Sequence, residues 1–298
     1  MRDLLRGVLY CALWYGSIVA GFLFIACPLL PLLLLSPPRF RKCGDLLFSC
    51  WELYPTALLE VFGVKIIVSG DHISPYESAI LVMNHRTRVD WNFLWAAMYQ
   101  ACMPNIAAHK LKFILKDPIR HIPGPGWMMQ MNGFLYITRR WEEDQGRLSR
   151  TLDYLVAIRR RTQLLIFPEG KLPKEVYFHI KRISSMDVPK DDMLLRSWLE
   201  KRWSYKEETL KSFTKKKAFS EGNWPMASML PLRAAFGFWS FLTGATVLLL
   251  LISPIFQLWA LVHSILFIGL SLLSTGFNQL EMGWYWRWRS YSLRTKLR

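Results

Sequence analysis

The sequence predicts an α/β domain, a sheet with flanking helices, together with membrane segments at both ends of the chain. Short apolar, branched runs at residues 78–83, 134–137 and 163–167 end in polar turns, as buried strands do. Stretches of helical spacing follow them. Residues 7–35 and 234–273 form apolar runs longer than the roughly 20 residues that one membrane-spanning helix needs. These features divide the 298 residues into a membrane segment (1–35), a sheet domain (36–233), a second membrane segment (234–273) and a basic aromatic tail (274–298).

Composition narrows the class. Hydrophobic residues make up 52 % of the chain, which favours a membrane protein. The net charge of +16 points to acidic lipid headgroups, because no zinc-finger or RNA-binding pattern accompanies it and no nucleic acid is expected. Cys11, Cys27, Cys43, Cys50 and Cys102 are odd in number and lack a C-x-x-C, so a disulfide framework is not expected. The histidines show no metal spacing, and neither a metal nor a bound cofactor is implied.

In chain order, Pro28 and Pro31 allow the first apolar run to kink or to turn back as a re-entrant hairpin. A signal peptide is the rival, but the run continues past any small-residue cleavage site. The basic stretch 36–42 reads as a membrane–water boundary, and 46–62 as an apolar surface helix. Residues 64–70 and 78–83 are strands. The second delivers Asn84-His85-Arg86-Thr87-Arg88-Val89-Asp90-Trp91, after which Trp91, Phe93, Leu94 and Trp95 begin a helix. His85 and Asp90 can meet only if the chain between them turns, since five residues of regular helix rotate about 500°. The chemical reading is a His general base held in one tautomer by Asp. Taken alone, a loop histidine beside a carboxylate that suits the helix dipole is the simpler reading.

Residues 104–126 are mixed, with His109 and His121 as surface loop residues and a turn at 121–127 leading into a short helix. The strand 134–137 ends at Arg139, a residue suited to bidentate oxygen contacts. Residues 142–160 form an amphipathic helix with Leu148, Leu152, Leu155 and Val156 on one face. The strand 163–167 leads to Pro168-Glu169-Gly170, and 175–181 alternates like another strand. Neighbouring parallel strands need a crossover of about a dozen residues. Strands 163–167 and 175–181 must therefore pair antiparallel, lie apart in the sheet, or not both form. A charged helix over 186–217 carries Leu195, Trp198, Leu199, Trp203 and Leu210 on its apolar side. Pro254 divides the last apolar run into two tightly turned segments or one long kinked helix. Positive charge flanks both apolar runs on both sides, so each is expected to return to the side it entered from.

Asn84–Trp91 resembles the H-x4-D motif of the glycerolipid acyltransferases, the lysophosphatidate-acyltransferase-like family. Gly133-Phe134-Leu135-Tyr136-Ile137-Thr138-Arg139 resembles that family's second motif, and Phe167-Pro168-Glu169-Gly170 its third. Arg86 and Arg88 inside the first motif, and the run 139–144, are most similar to the lysocardiolipin acyltransferase branch. The resemblance implies an acyltransferase-type sheet domain in which His85 is the base and Asp90 orients it. It implies that Arg139, Glu169 and Gly170 serve the phosphate-bearing acceptor, with Glu169 acting indirectly, and that Asn84, Arg86, Arg88 and Gly133 support the motifs. Acyl-CoA would be the co-substrate and an anionic lysophospholipid the acceptor, at the endoplasmic reticulum membrane with the catalytic domain facing the cytosol. The region around Trp127, Met128 and Met131 would support an acyl-chain channel, with core packing as the plain alternative. After the third motif the resemblance breaks. Lys171-Leu172-Pro173-Lys174 stands where the family continues to a fourth motif, and several dozen residues are absent. A catalytically impaired, lipid-binding form is the rival this break raises.

Overall fold

The computed structural model describes residues 2–74, 77–83, 90–102, 111–158, 162–166, 176–216, 218–219, 222, 228–273 and 276–296. Four strands form one parallel sheet in the order β2 (Ala79–Val82), β5 (Gln163–Ile166), β3 (Leu111–Lys116), β4 (Leu135–Ile137). Val82 pairs with Ile166, Phe113 with Leu165, and Ile114 with Leu135. Leu165, Leu111 and Phe113 are buried at its centre, as befits a parallel sheet covered on both faces. A second, two-stranded parallel sheet pairs β1 (Ile66–Gly70) with β6 (Val176–Ile180). At the junction after β5 both strands form and do not pair, but β5 and β6 lie in different sheets and not apart in one. Strand β3 falls in the stretch read as mixed. Lys112 and Lys116 interrupt its apolar pattern, yet Lys112 is buried.

The first apolar run does not turn back on itself. Helix α1 (Arg2–Gly21), a π-helical turn (Phe22–Ala26) and α2 (Cys27–Leu35) follow one another without a reversal. The return is made by α3 (Pro37–Val61), which begins well before the expected 46. Tyr10 meets Phe62 edge-on at 5.8 Å, and the Trp51 indole N–H donates to Ser17 Oγ at 3.0 Å, so α3 runs antiparallel to α1.

The second apolar run is two helices, α8 (Leu230–Ile252) and α9 (Pro254–Leu273). A Cβ at Gly16 would sit 2.7 Å from Thr243 Cγ2, and one at Gly21 3.3 Å from the Trp239 ring, so small residues let α8 lie directly against α1. The order of these contacts makes α8 antiparallel to α1. Helix α9 comes back: the Trp259 indole N–H donates to the Leu23 carbonyl at 3.1 Å, and Phe267 packs on Phe22 and Trp127. The pair is a hairpin whose two ends both reach the sheet domain. Leu4–Leu35 and Leu230–Ile252 are each long and apolar enough to cross a membrane. Phe241, Leu251, Ile255 and Leu258 are exposed on the hairpin, a continuous apolar surface that fits membrane association.

Between the sheet and the helices lies a buried polar network. Arg41 was expected at the membrane–water boundary, but it is buried beneath the domain while its neighbours Arg39 and Lys42 stay exposed. Its guanidinium forks onto the Glu281 carboxylate of α10 (Phe277–Lys296), with Nε to Oε1 at 2.9 Å, and Nη1 donates to the Met131 carbonyl at 2.8 Å. Tyr154 also donates to Glu281, at 2.5 Å. Lys112 Nζ donates to Asp45 at 2.8 Å and to the Asn132 carbonyl at 2.5 Å. Burial pulls the Lys112 ammonium below the ordinary lysine range, against the attraction of Asp45. It pushes the nearby Glu52 carboxyl well above the usual carboxylate range. Removing one partner from such a pair typically costs about 3–5 kcal/mol. The tail expected at 274–298 is thus largely a helix, docked on the domain through a buried charge.

Candidate active site at the sheet edge

In a parallel sheet all strands end at one edge, where open α/β folds bind their ligands. Here β2 leads into residues 84–90, β5 into 167–170, β4 into Thr138-Arg139, and β3 ends at the exposed Lys116. Asn84, His85, Arg86, Arg88, Glu169 and Gly170 lie outside the described residues. Of the predicted site residues, the structure places Asp90, Gly133 and Arg139. Asp90 is the first residue of α4 (Asp90–Ala101), buried at 8 % exposure, where the helix dipole favours its negative charge.

Arg139 has φ 65°, a left-handed backbone that side-chain-bearing residues seldom adopt. Asp144, in α6 (Trp141–Ala157), supports it. One carboxylate oxygen accepts the Thr138 N–H at 2.8 Å and the Thr138 hydroxyl at 3.1 Å; the other accepts the Arg139 N–H at 2.8 Å. Burial raises the Asp144 pKa, but these hydrogen bonds outweigh it and hold the carboxyl below its ordinary range. The Arg139 side chain stays exposed, and among the described residues it has no ion-pair partner. Asp144 stands with Glu142 and Glu143 in the first turn of α6, where acids suit the helix dipole. The usable signal was an acid in the first turn of a helix entered directly from a strand end.

Gly133, at φ 69°, makes the turn from α5 (Pro125–Met131) into β4; its N–H reaches the Gln130 carbonyl at 2.9 Å. A Cβ there would stand 3.0 Å from Arg41 Nη1. The residue is glycine because both the left-handed backbone and the buried guanidinium require it.

An apolar slot of about 50 Å³ lies among α1, α3, α5 and the residues that lead into β4. Trp14, Trp51, Trp95, Met128, Met131 and Phe134 are among its walls. Trp91, next to Asp90, packs on Trp14 and Trp95, two of the walls of the slot. Met128 and Met131, expected near an acyl-chain channel or in plain core packing, line the slot. Trp127 does not line the slot and instead packs on Phe22 and Phe267.

On the other side of β2 an open cleft separates the two sheets. Ile80 and Val82 face it at 70 % and 59 % exposure. Of the apolar face expected on α6, only Leu155 is buried; Leu152 and Val156 are exposed into the same cleft. Helix α7 (Asp192–Lys216) begins later than expected, after Asp191 caps it by accepting the Leu194 N–H at 3.0 Å, and it has no buried residue.

If Asp144 holds the left-handed turn, Asp144→Ala should speed hydrogen exchange at the Thr138 and Arg139 amides by about tenfold or more, since bonds to charged groups contribute about 1.5–3 kcal/mol. The pH sign follows from a depressed carboxylate. The support is complete above the ordinary Asp range and is lost only as pH falls through the lower folded value, so exchange corrected for intrinsic rate should not change between pH 6 and 8. Unchanged protection in the alanine variant would refute the assignment.

Comparison with known proteins places these features. A protein-family model described as Acyltransferase matches residues 65–214. A Danio rerio protein named lysocardiolipin acyltransferase 1 is 31 % identical over 280 residues, covering 70 % of this chain and 71 % of the relative. A Caenorhabditis elegans protein named lysophosphatidylinositol acyltransferase 10 is 27 % identical over 305 residues, covering 78 % of this chain and 74 % of the relative. A probable 1-acyl-sn-glycerol-3-phosphate acyltransferase 5 from Arabidopsis thaliana is 33 % identical over 132 residues, covering 44 % of this chain and 34 % of the relative. No solved structure matches. The Danio rerio alignment spans 280 positions but uses 70 % of the 298 residues here, so about 70 positions of that relative have no counterpart in this chain. Residues 84–90, Thr138-Arg139 and 167–170 come after β2, β4 and β5, parallel strands that end at one sheet edge, and with these matches the chain belongs to the lysophosphatidate-acyltransferase-like family of glycerolipid acyltransferases.

Proposed function

We propose that the chain transfers a fatty acyl group from acyl-CoA to the free hydroxyl of an anionic lysophospholipid: lysocardiolipin, lysophosphatidylinositol or lysophosphatidate. The observation that carries the reading is the parallel sheet, which ends the three motif-bearing strands at a common edge. In this reading His85 removes the hydroxyl proton while Asp90 holds its tautomer. The oxygen attacks the thioester carbon, and the tetrahedral oxyanion collapses with cleavage of the carbon–sulfur bond. The departing thiolate takes the proton from His85. No acyl-enzyme, metal or bound cofactor is required. Arg139 at the end of β4, with Lys116 at the end of β3 one strand nearer β2, offers cationic donors to the acceptor phosphate. Glu169 and Gly170 serve that pocket indirectly, and the apolar slot takes the acyl chain.

The membrane is the endoplasmic reticulum, and the sheet domain faces the cytosol, where acyl-CoA is found. The α8–α9 hairpin fits a domain that keeps to one side of the membrane, because both of its ends return to it. One experiment covers both statements. In sealed microsomes without detergent, added acyl-CoA should be consumed by the wild-type chain, and His85→Ala should lose at least about a hundredfold in rate. Full activity in His85→Ala would end the catalytic assignment. Activity that appears only after detergent would place the site on the lumenal side.

A second reading, slow turnover by a lipid-binding form, is favoured by the uncovered cleft. Ile80, Val82, Leu152 and Val156 are exposed apolar residues along a free sheet edge, and the relatives carry about 70 further positions. In this reading the additional segment covers that edge and completes the acceptor pocket. Inserting the Danio rerio segment after Gly170 should then raise transfer to lysocardiolipin and lysophosphatidylinositol by about a hundredfold, the scale of a roughly 1 Å correction in positioning. Equal turnover by the two forms would show the segment to be dispensable.

A further inference from the structure

We propose that Trp239, on the C-terminal membrane helix α8, is a wall of the acyl slot and determines which acyl chains are accepted. The inference rests on the acyl-transfer reading and extends it to a residue outside the stretch 65–214 that the acyltransferase model matches. Among the described residues the other lining positions all come from 14–134, and Trp239 is the single contribution of the C-terminal half of the chain.

The slot is built for hydrocarbon. Its polar lining side chains are already engaged: Ser17 donates to the Trp14 carbonyl at 2.7 Å and accepts from Trp51, and Asn132 donates to the Met128 carbonyl at 2.7 Å. Along α1 and its continuation the lining runs from Trp14 to Leu29, about 22 Å at 1.5 Å per residue, the length scale of a long fatty acyl chain. Its free volume of about 50 Å³ holds roughly four water-sized groups, far less than such a chain, so the walls must yield on binding.

The walls differ in how they can yield. Met128, Met129 and Met131 are unbranched and can re-pack around an occupant. Trp239 is 4 % exposed and its ring lies against Gly21, where even a Cβ would approach it to 3.3 Å. The rigid indole is therefore the element that excludes, and the methionines are the elements that adapt. A membrane helix lying beyond the matched domain thus sets chain selectivity for a reaction carried out at the sheet edge.

The test uses the full chain in lipid nanodiscs with an equimolar mixture of palmitoyl-CoA and arachidonoyl-CoA. Trp239→Ala should shift the product ratio toward the bulkier arachidonoyl group by about tenfold or more, the scale of pocket discrimination against small changes in apolar volume. Trp239→Phe should shift it in the same direction by less. Phe241→Ala, on the exposed side of α8, should leave it unchanged. An unchanged ratio in folded Trp239→Ala and Trp239→Phe overturns the proposal. A second readout needs neither turnover nor a folded variant. Palmitoyl-CoA carrying a photoactivatable diazirine in the chain should label Trp239 or its neighbours in the wild-type protein, and excess palmitoyl-CoA should suppress the labelling. Labelling without transfer would refute the acyl-transfer reading and sustain the slot assignment. Transfer with no label in α8 would do the reverse.

Discussion

Two buried cations hold the architecture at one turn. Arg41 and Lys112 donate to the consecutive carbonyls of Met131 and Asn132, just ahead of Gly133. Unpaired, either charge would be prohibitively costly in that interior. Asp45 answers one and Glu281 the other. The arrangement ties α3, β3, the α5–β4 turn and α10 together, although Arg41 and Glu281 are 240 residues apart in sequence. From that turn β4 runs three residues to the edge, and Asp144 then fixes the left-handed backbone of Arg139. Arg139 is thus positioned by a chain of polar contacts that begins under the sheet.

The membrane segments belong to the same construction. Helix α1 supplies one wall of the slot and, through Gly16 and Gly21, the surface on which α8 lies. Helix α2 ends with its carbonyls answered from the other end of the chain: the Trp284 and Trp288 indoles donate to Leu34 and Leu35 at 3.2 and 3.1 Å. Those carbonyls have no partner within their own helix. The aromatic and basic stretch read from sequence as an interface signal therefore also caps a helix.

Five of the six described strands were legible, because branched apolar runs ending in polar turns specify them locally. Strand β3 was not, since Lys112 breaks its pattern and only the tertiary partner Asp45 makes that lysine tolerable inside. Arg41 misled for the same reason: a basic residue beside an apolar run looks exposed until a distant carboxylate is found for it. The face of α6 was legible as a periodicity, but Leu152 and Val156 stay exposed because none of the described residues covers that part of the cleft. Within the site, Asp90, Gly133 and Arg139 were recognisable from motif spacing. Asp144 was not, because its role is to stabilise a backbone conformation that no sequence pattern displays.

The account stands most directly on the coupling between Arg41 and Glu281. A double-mutant cycle of Arg41→Met, Glu281→Met and both together, read by thermal unfolding in detergent, measures it. Each single variant should lose about 3–5 kcal/mol by leaving a buried charge alone, and the double variant should recover much of that loss, because an apolar pair carries no unpaired charge. Small, additive losses would contradict the account and leave the α5–β4 turn held by packing alone.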